Sequence, residues 1–377
     1  MADGTAVEAV RSQAAEVARG WSPPGAPPSW ALTASIFDTL ASDDDLLAIA
    51  AEIPSDRMPA LLFCAATCYL VAEHEPPGFV DYFPGATPQR AVDDRFPAAM
   101  RAFGLRMRDQ LADISERRRY QMNEVARTTQ VAIALGAVRR PDSEGIALVD
   151  VGTGAGLGLW PDRYGHRLST GERYGDQAST LRLECEAAGP ALGSQGTPPI
   201  VHRIGIDLDP IDVRDEDDRR WARACLPPDA DALRRFDEAV PLADPRAATV
   251  LRADAVEALP DVLDAVPDSV TPVVVDTYTA VFFDDGQRRR FDEILDRFGT
   301  DRDVAWVSLD PLIPLGTEGR HSVQGLDVPD DLVADYQRHG VFALLGIVGY
   351  ADGQRYGDLL ARAHPSGTSM TWLTRTQ

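Results

Sequence analysis

Four acids stand where apolar runs end. Asp150 follows Ala147-Leu-Val149, Asp207 follows Arg203-Ile-Gly-Ile206, Asp254 follows Thr249-Val-Leu-Arg252, and Asp276 closes Thr271-Pro-Val-Val-Val275. The first acid leads into Gly152, Gly154 and Gly156, spaced at every second residue. Without a β-carbon, these positions permit turns and close approaches that a side chain would block. An acid followed by such a turn is a seat for a small ligand, in which backbone N–H groups meet its acceptors and carboxylates meet its hydroxyls or positive charge. Counted from Gly152, the dinucleotide pattern Gly-x-Gly-x-x-Gly places Leu157 where its third glycine belongs, so that ligand is disfavoured. The chain contains no lysine: all 37 basic residues are arginine. This excludes a phosphate loop ending in Gly-Lys-Ser/Thr and any Schiff-base chemistry.

The elements that position these residues alternate. Strands are expected at residues 147–151, 203–208, 249–252, 271–276 and 304–309, with helices between them, the signature of a parallel sheet covered on both faces. In such a sheet the ligand crevice lies beyond the carboxyl ends of the strands, where all four acids fall. The glycine turn is expected to open an α-helix whose N-terminal N–H groups face the crevice. Leu181 and Leu183 alternate with polar residues, which predicts a hairpin insertion at about 160–200. Residues 342–348, 358–363 and 370–373 read as strands forming an antiparallel C-terminal edge. Before residue 118 the apolar spacing is mostly helical, broken by prolines at 23–28 and by a Pro- and Gly-rich loop at 76–97, giving a helical N-terminal cap, 1–118, ahead of a sheet domain, 119–377. The fold class is α/β, a doubly wound, mostly parallel sheet with that cap.

A net charge of −22, from 59 acids against 37 bases, disfavours a nucleic-acid partner. The longest apolar stretch, residues 58–72, contains Pro59 and is short for a membrane span; no basic start and apolar segment follow Met1, so no signal peptide is expected. Cys64, Cys68, Cys185 and Cys225 are too scattered for a disulfide framework, which suits reduced thiols in the cytoplasm. Cys64 and Cys68 share a face of an apolar helix and are read as core. The seven acids between Asp207 and Asp218 lack the glycine and terminal glutamate of a calcium loop and are read as a solvated helix start. No metal is expected, and the oligomeric state is not legible.

A turn of this kind beside acids suits a cofactor with a nucleoside and an amino acid but no phosphate, namely S-adenosylmethionine. Val149-Asp-Val-Gly-Thr-Gly-Ala-Gly156 resembles the first motif of the Rossmann-like S-adenosylmethionine-dependent methyltransferases, and the later acids match that group's order. More narrowly, several stretches resemble an uncharacterised bacterial family, domain of unknown function 2332. They are Gly156-Leu-Gly-Leu159, Asp162-Arg-Tyr164, the run from Arg203 to Asp212, Trp221-Ala-Arg-Ala-Cys225 and Asn123-Glu124-Val-Ala-Arg127. The methyltransferase resemblance implies roles. Gly152, Gly154, Gly156 and Leu157 would approach the methionine part, and Asp150 would receive its ammonium. Asp207, with Leu208 beside it, would hold the ribose hydroxyls, Asp254 with the Ala255 N–H the adenine, and Asp276 the sulfonium side. Asp207 follows Gly156 by 51 residues rather than about 20, a departure the insertion is taken to explain. Asp276 and Tyr278 are the catalytic candidates. Tyr120, Asn123, Glu124 and Tyr164 are candidates at the cap and substrate.

The expected reaction is methyl transfer to a small molecule with S-adenosylhomocysteine as product. Two alternatives remain open: displacement at the sulfonium that releases methylthioadenosine (cyclisation or aminocarboxypropyl transfer), and a non-catalytic binding protein of the same fold.

Overall fold

A computed structural model describes residues 4–23, 25–86, 89–140, 143–189, 196–312, 322–339 and 342–373. In chain order the larger elements are α1 (Gly4–Gly20), α2 (Ala31–Ser42), α3 (Asp44–Ala50), α4 (Pro59–His74), α5 (Phe96–Arg106), α6 (Arg108–Arg117), α7 (Thr128–Leu135), β1 (Ile146–Val151), β2 (Gly165–Leu168), β3 (Arg173–Gly175), β4 (Arg182–Ala188) and β5 (Ile200–Asp207). There follow α8 (Glu216–Ala224), α9 (Ala230–Ala239), β6 (Thr249–Arg252), α10 (Ala255–Asp264), β7 (Thr271–Thr277), α11 (Asp285–Gly299), β8 (Val304–Pro311), β9 (Ser322–Val323), β10 (Leu326–Asp327), α12 (Asp330–His339), β11 (Ala343–Ala351), β12 (Gln354–Ala363) and β13 (Ser369–Trp372). The chain forms two compact units, residues 1–123 with 211–236 and residues 124–210 with 237–377. Among the described residues no helix is long and apolar enough to cross a membrane.

The first unit is helical. Its core is built on α4, apolar all round and buried at Leu62, Phe63, Ala66 and Leu70, with Phe37, Leu40, Phe96 and Phe103 around it. A domain running unbroken from 119 to 377 is corrected by the segment 211–236, which leaves between β5 and β6 to join this unit. The reason is apolar and ionic together: Trp221 and Cys225 enter the helical core, the Trp221 indole N–H donates to the Arg119 carbonyl at 2.9 Å, and Arg118 pairs with both Asp217 and Asp218. The acids after Asp207 therefore serve as helix cap and ion-pair partners. Asp215 caps α8 by accepting from Asp217 N and Asp218 N, and Asp212 pairs with Arg214. No group of described residues could hold a metal ion. Cys64 interacts with Cys68, and Cys225 is near both; burial pushes Cys225 up to about 12, and Cys64, raised by Cys68 and by burial, belongs with it to the core.

The second unit is organised on an eleven-stranded sheet in the order β3-β2-β4-β13-β12-β11-β8-β7-β1-β5-β6. β6, β5, β1, β7 and β8 are parallel, and all six residues of β1 are buried, as a strand covered on both faces requires. The fold is thus mixed α/β, with a large, mostly parallel sheet and twelve α-helices among the described residues. Two expectations are corrected. The antiparallel strands β11 to β13 do not form the edge, because β13 pairs in parallel with β4 and the sheet continues through β2 to β3. The insertion near 160–200 is likewise more than a hairpin: β2 and β3 form one, while β4 runs parallel to β2 and ties it to the main sheet. Its alternation holds, with Leu183 and Cys185 buried between exposed Glu184 and Glu186.

Candidate functional site

β1, β5 and β6 are laid down in one direction and β7 and β8 in the other, so the winding reverses between β1 and β7. The glycine turn leaves β1 there. All three glycines take the left-handed conformation, with φ of 73° at Gly152, 53° at Gly154 and 70° at Gly156. No α-helix follows, contrary to expectation: Leu157–Leu159 is a single 3-10 turn. Gly156 and Gly158 are poor helix formers, and Pro161 disfavours helical backbone at Trp160, so the helix-dipole contribution expected here is absent.

What holds the turn is a set of short contacts. Gly152 N and Thr153 N donate to the Ile206 carbonyl at 2.8 and 3.3 Å, and Gly154 N donates to Asp207 Oδ2 at 2.8 Å. Asp207 Oδ1 accepts from Asp209 N at 2.8 Å, so this carboxylate clasps the turn from the end of β5. Asp150 is 5% exposed, and its Oδ2 accepts the Thr153 hydroxyl at 2.7 Å. A β-carbon on Gly158 would stand 2.8 Å from that same oxygen, and one on Gly205 would stand 2.6 Å from the Thr153 methyl. Burial pushes the Asp150 carboxyl up to about 7; the Thr153 hydroxyl opposes this, and Asp207 and Asp276 add to it. These three acids therefore lie within electrostatic reach of one another, and the site favours positive charge over phosphate.

The turn predicts a measurable asymmetry. A β-carbon at Gly152 would fall 2.1 Å from Thr279 Oγ1, whereas at Gly156 the nearest atom is 3.8 Å away. Gly156→Ala is expected to lose only the left-handed penalty, about 1–2 kcal/mol, and Gly152→Ala about 3 kcal/mol once the clash is added. Urea midpoints of the two variants check this, and equal losses would contradict it.

Asp276 is 1% exposed. Its Oδ2 accepts the Trp306 indole N–H at 2.7 Å and its Oδ1 accepts Ala280 N at 3.2 Å. Enclosed and doubly bonded, it ties the end of β7 to β8. Tyr278 follows at a φ of 62°, unusual for a side chain of its size. Among the described residues its hydroxyl is buried with no hydrogen-bond partner, and the Arg127 guanidinium lies 4.0 Å over its ring. Arg127 is itself 4% exposed; its Nε donates to the Pro365 carbonyl at 2.7 Å and its Nη2 has no hydrogen-bond partner among the described residues. Burial pushes the Tyr278 hydroxyl well above its ordinary value; Arg127 opposes this, and Tyr336 and then Asp310, buried at the end of β8, add to it.

Other expected residues are placed apart from this cluster. Asp254 caps α10, its Oδ1 accepting Val256 N and Glu257 N at 2.9 and 3.2 Å, with Ala255 in the first turn. Leu208 is 65% exposed beside Asp207, whereas Leu157 is buried. Glu124 accepts from Ala126 N at 3.0 Å at the start of the sheet unit; Tyr120 packs on the core of the helical unit, to which Asn123 also belongs. Tyr164 is wholly buried, and its hydroxyl donates to the Leu157 carbonyl at 3.0 Å.

A profile of the family described as "Uncharacterized protein conserved in bacteria (DUF2332)" matches residues 7–372. The chain belongs to this family. No curated protein matches the chain. Among solved structures, a possible exported protein from Bordetella parapertussis is similar at 13% identity over 88% of this chain and 80% of that one, with a TM-score of 0.27. Three residues of the stretches that carry the family resemblance, Leu159, Asp162 and Arg203, are joined beside the glycine turn. Arg203 donates to the Leu159 carbonyl at 2.5 Å, pairs with Asp162 at 2.7 Å and stacks 4.5 Å over Trp160. His166, which no sequence pattern singles out, is fully buried. Burial lowers it to about 4, so it is neutral, with Nδ1 toward the Thr129 hydroxyl at 3.0 Å and Nε2 toward the Pro161 carbonyl at 2.6 Å. Trp306 and Asp310 likewise escape a reading of the sequence, and Arg127 enters it only as the end of a stretch that resembles the family. None carries a spacing signal, because each comes from a different element and meets the site only in the fold.

Proposed function

We propose that the sheet unit is a Rossmann-like S-adenosylmethionine-binding fold and that the protein transfers the cofactor's methyl group to a small-molecule acceptor. The observation that carries this reading is the turn of three left-handed glycines held between Asp150 and Asp207 where the sheet winding reverses. Open α/β sheets bind ligands at that point. The residues fit the cofactor in charge as well as in shape: buried Asp150, with Asp207 and Asp276 near it, suits an ammonium and a sulfonium, and would repel a pyrophosphate. Asp150 would take the methionine ammonium. Asp207, half-buried at the end of β5, would accept from the ribose hydroxyls, and exposed Leu208 would offer an apolar face to the adenine. When bound, the cofactor supplies an already activated methyl group. The protein's part is then to bind, orient and exclude water. Tyr278 is the residue we assign to the acceptor side, on its strained backbone and its buried, unpartnered hydroxyl.

Calorimetry with S-adenosylhomocysteine tests the reading. Binding with a Kd of about 100 μM or tighter is expected, weakened at least about tenfold in Asp207→Ala. No heat with either S-adenosylhomocysteine or S-adenosylmethionine would overturn it. Incubation of the protein with S-adenosylmethionine and a small-metabolite extract is expected to yield S-adenosylhomocysteine; methylthioadenosine instead would keep the cofactor and refute methyl transfer.

A further inference from the structure

Arg127 carries a positive charge that the sheet unit encloses without balancing it. The residue is 4% exposed, in the short turn of helix that precedes α7, and it makes no ion pair with any described residue. Its Nε donates to the Pro365 carbonyl at 2.7 Å, its Nη2 is enclosed without a partner, and its Nη1 bonds to no described residue without being enclosed. In place of a counter-ion it has one neutral carbonyl and the face of the Tyr278 ring, 4.0 Å away. An aromatic face recovers only part of what a cation loses on leaving water. The fold therefore carries a cost at Arg127 that a bound anion removes.

The charge lies where the sheet comes to the surface. β7 is buried through Asp276, and Thr277, Tyr278 and Thr279 emerge half-buried beyond its carboxyl end. The Tyr278 N–H donates to the Leu309 carbonyl of β8 at 2.9 Å, which holds the residue in its left-handed conformation under the guanidinium. The two buried acids at the ends of β7 and β8 do not neutralise Arg127. Asp276 is bonded to Trp306 and Ala280, and Asp310 acts on the Tyr278 hydroxyl without forming an ion pair with Arg127. One guanidinium balances one negative charge, and its planar N–H groups suit a carboxylate. Asp150, Asp207 and Asp276, at the ends of β1, β5 and β7, would oppose a dianion such as phosphate.

We propose that Arg127 binds a carboxylate of the acceptor, so that the substrate class is a small carboxylic acid taken up as its monoanion. The inference rests on the reading that Tyr278 faces the acceptor and adds to it the kind of molecule. An ion pair at Nη1 fixes one end of that molecule beside the Tyr278 ring and leaves the rest of it to meet the methyl group. It also explains why an arginine is kept where a neutral side chain would pack on the ring without the cost of a buried charge.

The probe is acetate, the smallest carboxylate able to reach one guanidinium, with acetamide as its neutral counterpart and inorganic phosphate as the dianion, all at constant ionic strength and without cofactor. The readout is the 19F spectrum of protein labelled with 3-fluorotyrosine. The chain has nine tyrosines, and Tyr278→Phe assigns the relevant resonance. That resonance is expected to shift with acetate at a Kd of about 10 mM or tighter and to stay put with acetamide and phosphate. In Arg127→Gln the acetate affinity is expected to fall about tenfold or more, while the remaining tyrosine resonances certify the fold. A Tyr278 resonance that ignores acetate, that responds equally to acetamide or phosphate, or that titrates unchanged in Arg127→Gln overturns the proposal. The contrast among the three probes is read on the unaltered protein, so it decides the matter even if the variant fails to fold. Because no cofactor takes part, the two readings fail separately. S-adenosylhomocysteine bound by a protein whose Tyr278 ignores acetate refutes the carboxylate alone, whereas acetate felt at Tyr278 where no S-adenosylhomocysteine binds supports the anion site and refutes methyl transfer.

Discussion

Asp150→Asn is expected to make the protein more stable near neutral pH, by up to about 4 kcal/mol, and to leave it unchanged near pH 4. The carboxyl is 5% exposed and lifted from an ordinary 3.8 to about 7, chiefly because burial disfavours its charge. Between those values the folded protein holds a proton that the unfolded chain has released. Stability therefore falls as the pH rises through this window and levels off above it. Asparagine keeps an oxygen for the Thr153 hydroxyl, carries no charge at any pH, and so removes the slope. Urea midpoints of both proteins from about pH 4 to pH 8 check this, and parallel profiles would refute it. An acid that weakens the fold where a neutral homologue of the same shape would serve is the kind of residue that function retains. Under the proposed function the stabilised variant loses affinity for S-adenosylhomocysteine, because the buried charge is what receives the ammonium.

Much of this arrangement is legible in the amino-acid sequence. The apolar runs ending in Asp150, Asp207 and Asp276 are β1, β5 and β7 in parallel register, since a strand buried on both faces must be apolar throughout and its first polar residue marks its end. The glycines at alternate positions are the left-handed turn that their spacing suggests. Other features are hidden for physical reasons. An acid at a strand end reads alike whether it stays half-buried and clasps a glycine turn, as Asp207 does, or closes on an indole, as Asp276 does. Asp254 reads as a site acid because a helix cap and a ligand carboxylate occupy the same place in the pattern. Pairings between distant segments leave no trace in periodicity. Arg203 with Asp162, Arg127 over Tyr278, and β4 beside β13 are all of this kind, and the last is why an expected insertion is the sheet's outer edge.

Trp306→Phe is expected to cost about 3–5 kcal/mol near neutral pH, more than its lost ring area explains, because it strands a buried carboxylate. Phenylalanine can keep much of the packing on Phe291, whose ring lies 4.9 Å away, and on the helices that cover this face. It cannot donate to Asp276 Oδ2. Ala280 N at 3.2 Å would then be the one donor left among the contacts described for that carboxylate, at 1% exposure. The loss is that of leaving a buried acceptor short of a donor. Adding Asp276→Asn should recover part of it, since a neutral amide is far less costly to leave with one partner. A double-mutant cycle near pH 7 is therefore expected to show a coupling of about 2 kcal/mol or more between the two positions. Equal costs for Trp306→Phe with and without the acid would mean that the indole serves only as packing.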